Sequence, residues 1–191
     1  MFQQGSKWST VLLVIILLLS FVMLAFGFAI YGDTITQWWI PVIPAAMVAF
    51  GTAPMIYHRW IRLTDIDSKI VNFICHIFVF GAITYFLFLG VNYWCADPQT
   101  IVEEQVEVVD KYQKSHTKYR RVSRNRRVPD GHYNTYHLLL KLHDGREKEI
   151  EVPFSTYRST RNGGHRNLTL EKGFFGLTII KRQVKQKKQA D

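Results

Sequence analysis

The chain has 191 residues, 48% of them hydrophobic, and a formal charge of +9, but neither property is evenly spread. From Asp97 onward there are 20 Lys and Arg against 12 Asp and Glu, a net +8, whereas the residues before it hold three long apolar runs. Two cysteines are too few for a disulfide framework, and the uneven partition excludes a single water-soluble core, because half of the sequence is suited to lipid.

The first apolar run, Val11 to Tyr31, is nearly unbroken hydrocarbon, and roughly 20 such residues in a helix cross the ~30 Å bilayer core. Lys7 precedes it as a signal peptide's basic residue would, but the run is too long for a cleaved leader and no small-x-small site follows, so it reads as a retained anchor. The second run, Trp38 to Tyr57, contains Pro41, Pro44 and Pro54. The first two are expected in the opening turn, where a missing N–H costs nothing, and Pro54 predicts a bend near Gly51. The third run, Ile70 to Trp94, exceeds the hydrocarbon thickness and can absorb the surplus by tilting. All five tryptophans, Trp8, Trp38, Trp39, Trp60 and Trp94, fall at the ends of these runs, where indole rings anchor at the headgroup level.

Two patterns within the runs bear on assembly. Ala45, Ala49 and Ala53 recur every four residues, a spacing that lets helix backbones approach closely, within the chain in preference to between copies. Lys69, Asn72 and His76 share one face of the third helix; ionisable groups at such depth are functional candidates, although hydrogen bonding to the neighbouring helices accounts for them more simply. Cys75 and Cys95 stand roughly 30 Å apart along that helix and cannot pair within one chain.

Basic residues of short loops stay on the cytoplasmic side. Lys7 precedes the first helix, the first loop carries Asp33 and no Lys or Arg, and the second carries Arg59, Arg62 and Lys69, so the N-terminus is expected inside. The region after the third helix is then outside, which in a double-membraned bacterium is the periplasm.

Beyond Cys95 the period of the pattern changes to two. Strands are expected at Val102–Tyr112, Tyr133–Leu142, Lys148–Phe154, Asn167–Glu171 and Gly176–Arg182, with hairpin turns at Asp144-Gly145 and around Gly163-Gly164. The expected fold is therefore a membrane α+β chain: residues 1–96 as three transmembrane helices, 97–184 as a β-rich extramembrane domain, and 185–191 as a disordered basic tail. The β domain would be a small antiparallel sandwich or partly open barrel of about five strands, its core drawn from Leu138, Leu140, Leu142, Ile150, Val152, Phe154, Leu168, Leu170, Leu177 and Ile179. Apolar helices followed by a Tyr-rich strand, an Asp-Gly hairpin, a Gly-Gly turn and a terminal Gly-Phe-Phe-Gly-Leu-Thr-Ile-Ile segment resemble small, mostly uncharacterised bacterial integral membrane proteins. That resemblance implies the layout and lends no activity.

The densest charge cluster is Lys118, Arg120, Arg121, Arg124, Arg126 and Arg127, interleaved with Tyr119. It reads either as a solvated loop or as a contact for anionic lipid headgroups or lipopolysaccharide; outside the cell, nucleic acid is not an expected partner. His116, His132, His137, His143 and His165 invite a metal hypothesis, but His137 and His143 would stand roughly 20 Å apart on one strand face and His132 points away from His137, so no metal or other cofactor is expected. There is no Gly-x-Ser-x-Gly, phosphate loop, His-Glu-x-x-His or Cys-x-x-Cys, and Ser155, Ser159 and His165 form no recognisable triad in sequence, so no enzyme is expected. The expectation is a non-catalytic β module held at the outer face of a bacterial inner membrane, binding membrane lipids and a protein partner, a second copy or an envelope component. The alternative is a defence or immunity protein whose β domain senses a ligand or toxin while its helices oligomerise or permeabilise the membrane.

Overall fold

The computed structural model describes residues 7–123, 126–143 and 145–181, so Arg124, Asp144 and the tail expected to be disordered lie outside the described residues. Three 26-residue helices, α1 (Lys7–Gly32), α2 (Trp39–Thr64) and α3 (Lys69–Trp94), are each long and apolar enough to cross a membrane, which points to a membrane protein. At 1.5 Å per residue each is about 39 Å long, so both ends extend past a ~30 Å hydrocarbon core into the interface.

α1 and α3 begin before their expected starts, and α2, which begins one residue after its own, runs well past its expected end. α2 continues seven residues past Tyr57 because Trp60 and Thr64 still face α3, and it stops where Asp65 takes the left-handed conformation (φ 55°) and returns its N–H to Ile61 O. Because α2 starts at Trp39, only Pro41 occupies the first turn. Pro44 and Pro54 are both inside the helix, which nevertheless runs on as one element. α3 is central: Ala45 of α2 and Leu24, Ile30 and Tyr31 of α1 pack against its Tyr85, Phe88 and Leu89. Gly27 permits the close approach of α1, since a Cβ there would meet the Tyr85 ring at 2.8 Å.

The strands are β1 (Thr34–Ile35), β2 (Val102–Ser123), β3 (Arg126–Lys141), β4 (Glu147–Val152), β5 (His165–Lys172) and β6 (Thr178–Lys181), in the order β1-β6-β5-β2-β3-β4. The sheet therefore has six strands where about five were expected. The addition is β1, a dipeptide in the α1–α2 connection that pairs antiparallel with β6. A two-residue strand has no periodicity to read and exists only through its partner.

The chain divides into two compact units, one of residues 1–101 with 170–181 and the other chiefly of residues 102–169. β6 and the end of β5 thus belong with the helices. In that unit Ile35, Leu170, Ile179 and Ile180 are buried, and Glu171, only 3% exposed, is paired with Lys181 at 2.5 Å. In the other unit Val106, Val108, Leu138, Leu140 and Leu142 form the core. Of the remaining expected core residues Ile150, Val152, Leu168 and Leu177 are half-buried, while Phe154 is exposed and begins a short helix, α4 (Phe154–Ser159), in place of ending a strand. Tyr136 of β3 meets the rings of Phe154 and Tyr157 at 5.0 Å each.

Candidate functional site

The segment read as a possible loop is strand. β2 and β3 pair continuously from Glu107↔Lys141 out to Ser123↔Arg126, while β4 pairs with β3 only from Lys141 back to Tyr136. Beyond Lys114↔Thr135 the two strands therefore run on past β4 as a ribbon roughly 30 Å long at ~3.3 Å per residue. Sequence alone hides it because both faces are wet, so no apolar residue marks every second position. Gly131 (φ 88°) lies where the register shifts between Thr117↔His132 and Tyr119↔Pro129, and supplies the left-handed residue that the bulge on β3 requires.

Lys118, Arg120, Arg121, Arg126 and Arg127 are all exposed along this ribbon, with Arg121 directly opposite Arg127; Arg124 lies outside the described residues. No Asp or Glu occurs between Lys111 and Pro129. Like charges facing each other across a strand pair destabilise it, so the ribbon concentrates positive potential that a polyanion would relieve.

Where the ribbon leaves the sheet, one face carries a connected polar chain. Tyr112, Lys114 and His116 alternate along β2, and Tyr133, Thr135 and His137 along β3, so that antiparallel pairing sets Tyr112 against His137, Lys114 against Thr135 and His116 against Tyr133. The outer pairs stack, at 5.4 and 5.1 Å between ring centroids. His137 Nδ1 lies 2.9 Å from Glu149 Oε1, which also receives Lys114 Nζ at 2.8 Å. The carboxylate fixes the tautomer. His137 donates Nδ1–H to Glu149, its Nε2 accepts the Thr135 hydroxyl at 2.9 Å, and the Thr135 oxygen in turn accepts from His116 Nε2 at 3.1 Å.

Hydroxyl, imidazole and carboxylate here follow the order of a hydrolase triad, which the sequence did not reveal because Thr135 and Glu149 sit on different strands. Catalysis would further require donors preorganised around a developing oxyanion, and the Thr135 hydroxyl is instead held between two imidazoles. The His116 and His137 imidazoles flank that one hydroxyl from opposite sides, and among the described residues no group of three His, Cys, Asp or Glu side chains could hold a metal ion. The arrangement acts as a clasp tying β4 to the root of the ribbon.

The clasp is pH-dependent at both ends. Hydrogen bonds from Lys114 and Tyr112 hold the Glu149 carboxyl below its ordinary range, while the same carboxylate raises the Lys114 ammonium and the Tyr112 phenol. A lowered carboxylate contributes stability above its unfolded pKa and loses it as pH falls through the folded one; the raised groups contribute below their unfolded values and lose it as pH rises. Protection of the β4 amides against hydrogen exchange, relative to the intrinsic rate at each pH, is expected to be greatest near neutrality and to fall at both extremes. Glu149→Gln should flatten the acid limb and raise exchange at neutral pH by no more than a few-fold, the scale of an exposed pair.

The remaining sequence-selected residues lie in the helical unit. Trp8, Trp38 and Trp94 are 63% or more exposed and Trp39 is 44% exposed, whereas Trp60 is turned inward at 4%. Its indole N–H donates to His76 Nδ1 at 2.9 Å, which leaves His76 as the Nε2–H tautomer, bonded to Ala49 O at 3.0 Å with Thr52 Oγ1 also at 3.0 Å. Pro54 supplies no N–H to the turn below, and His76 braces α2 there. Asn72, fully buried, donates to Ile66 O at 2.8 Å and accepts from Thr64 Oγ1 at 2.6 Å, fastening the α2–α3 connection. Lys69 is exposed and apart from this network. Ala45 and Ala49 are buried within the chain and Ala53 is half-buried.

Sequence reading passed over Asn92. Fully buried on α3, it accepts from Phe175 N–H at 3.0 Å and donates to Leu177 O at 3.3 Å, while its own carbonyl accepts from Phe174 N–H at 3.2 Å. Phe175 stacks on Phe88 at 4.7 Å. One amide thus pins the Gly173–Leu177 turn to the helix; an Asn near the far end of an apolar run was the available signal. No family model, curated protein or solved structure matches the chain.

Proposed function

We propose that the protein is a non-catalytic membrane-anchored module whose β unit stands at the outer face of a bacterial inner membrane and binds an anionic envelope component through the β2–β3 ribbon. The observation that carries this reading is the ribbon itself: two long strands that run on past the end of the β4 pairing, Arg121 facing Arg127, and a single acid, Asp130, against Lys118, Arg120, Arg121, Arg126 and Arg127. A structural hairpin would gain from mixed charge, whereas a polyanion-binding one gains from a single sign. The outward address rests on the loop charges, with Arg59, Arg62 and Lys69 on the α2–α3 side and none between α1 and α2. The pairing of β6 with β1 supports it, since it brings residues 178–181 to the same end of the helices as the α1–α2 connection.

Two measurements test the proposal. A reporter active only outside the cytoplasm, fused after Asp191, is expected to be active; activity of a cytoplasm-dependent fluorescent fusion would overturn the address. Full-length protein in uncharged nanodiscs is expected to bind lipopolysaccharide in a salt-sensitive manner. Replacing Arg120, Arg121, Arg126 and Arg127 together by Ser should weaken that binding by at least ~10-fold, and unchanged binding would remove the ribbon from the function.

A further inference from the structure

Beside Pro54 the surface between α2 and α3 is recessed into a groove of about 590 Å³, lined by Ala53, Pro54, Tyr57, Lys69, Ile70 and Phe73. Its origin is local. Ala53 and Pro54 project little from α2, while Ile70 and Phe73, one turn apart on α3, raise the opposite wall, and the Phe50–Phe73 ring contact at 5.8 Å flanks it. The walls are apolar and open, with Ile70 72% and Phe73 42% exposed, so in a bilayer they face acyl chains. The charge is at one end only. Lys69 is the first residue of α3 and Tyr57 lies on α2 about two turns from that helix's end, which puts Lys69 at the headgroup level of helices about 39 Å long and the Tyr57 backbone roughly 6 Å below it, within a tyrosine side chain's reach. No carboxylate lines the groove.

We propose that this groove is a binding site for one anionic glycerophospholipid, with an acyl chain laid along Ala53, Pro54, Ile70 and Phe73 and the headgroup phosphate on Lys69 Nζ. The volume falls within the range of small-molecule sites. An ammonium at the interface attracts a net negative headgroup, whereas a zwitterionic lipid brings its own cation; one lysine near the surface is worth a roughly fivefold preference. Tyr57 sits where a phenol can keep its ring among the chains and its hydroxyl among the headgroups. The site is separate from the ribbon and rests only on the helices spanning a bilayer.

The test uses the full-length protein, delipidated in an uncharged detergent, with native mass spectrometry and thermal unfolding as readouts. Dioleoyl phosphatidylglycerol, dioleoyl phosphatidylcholine, diolein and inorganic phosphate are added in parallel. One phosphatidylglycerol adduct is expected to survive activation that strips the others and to raise the unfolding midpoint. Lys69→Gln, an exposed change at a helix start, should bring phosphatidylglycerol binding down to the phosphatidylcholine level, about fivefold, and leave phosphatidylcholine unchanged. Ala53→Phe, which fills the groove, should weaken all three lipids. An undiminished phosphatidylglycerol preference in Lys69→Gln, lipid binding untouched by Ala53→Phe, or inorganic phosphate matching the lipid would each overturn the site. Failure of the chain to enter vesicles at all would remove the membrane-spanning reading, whereas entry without lipid preference removes the groove alone.

Discussion

Gly173→Ala is expected to release the last described strand from the helices while leaving the helices intact. Gly173 is buried, and a Cβ at that position would be driven into the Asn92 carboxamide. That amide cannot simply swing aside, because it is fully buried and holds Phe175 N–H and Leu177 O. Displacing it leaves two part-buried backbone groups without their partner and loosens the Phe88–Phe175 stack, a cost of about 2–4 kcal/mol, because neither group is deep enough to lose the full ~3 kcal/mol of a buried one. Asn92→Leu should cost a similar amount by the opposite route, keeping the glycine and deleting the amide. The double variant should cost little more than either alone, because both remove one shared interaction. Limited proteolysis in detergent, read by the appearance of a fragment cut between Gly173 and Lys181, measures the release. A double variant with fully additive losses would show that the turn is held by something other than Asn92.

The second large effect is expected at His76. Replacing it by Ala removes the acceptor of the buried Trp60 indole and the donor to Ala49 O, and opens a cavity where the ring had stacked on Phe80 at 4.3 Å. Hydrogen bonds between membrane helices average ~0.6 kcal/mol and reach ~1.7 kcal/mol, so two of them with the cavity predict a loss of about 2–4 kcal/mol. His76→Phe restores the volume and not the bonds, and should recover about half. Unfolding in mixed micelles, followed by tryptophan fluorescence, reports the change directly because Trp60 is itself the donor. Equal losses in both variants would assign the whole effect to the hydrogen bonds, and none in either would make the network incidental to stability.

The three helices were legible because lipid imposes a length and an apolarity that no short motif can imitate. Their ends were not, since the extra turns of α2 are held by side chains such as Trp60 and Thr64 whose partners lie on another helix. In the β region the strands with one buried face, around Leu138, Leu140 and Leu142, were readable from alternation. The ribbon was not, because residues that face water on both sides carry no period. β1 was invisible for a different reason: Thr34 and Ile35 are a strand only because Ile179 and Thr178 come to lie beside them. The same holds for the polar clasp, where Thr135, His137 and Glu149 are ordinary surface residues until register aligns them.

That pairing also sets an order of events during synthesis. Asp33 and Thr34 leave the ribosome early, yet their strand partners, Ile180 and Ile179, emerge well over a hundred residues later. All three hydrophobic segments can thus be made before the β1–β6 pairing that closes one end of the helices. A translation product that stops short of Lys181 would keep its anchor but expose the unmatched edge of Thr34-Ile35 and an Asn92 amide with nothing to grip.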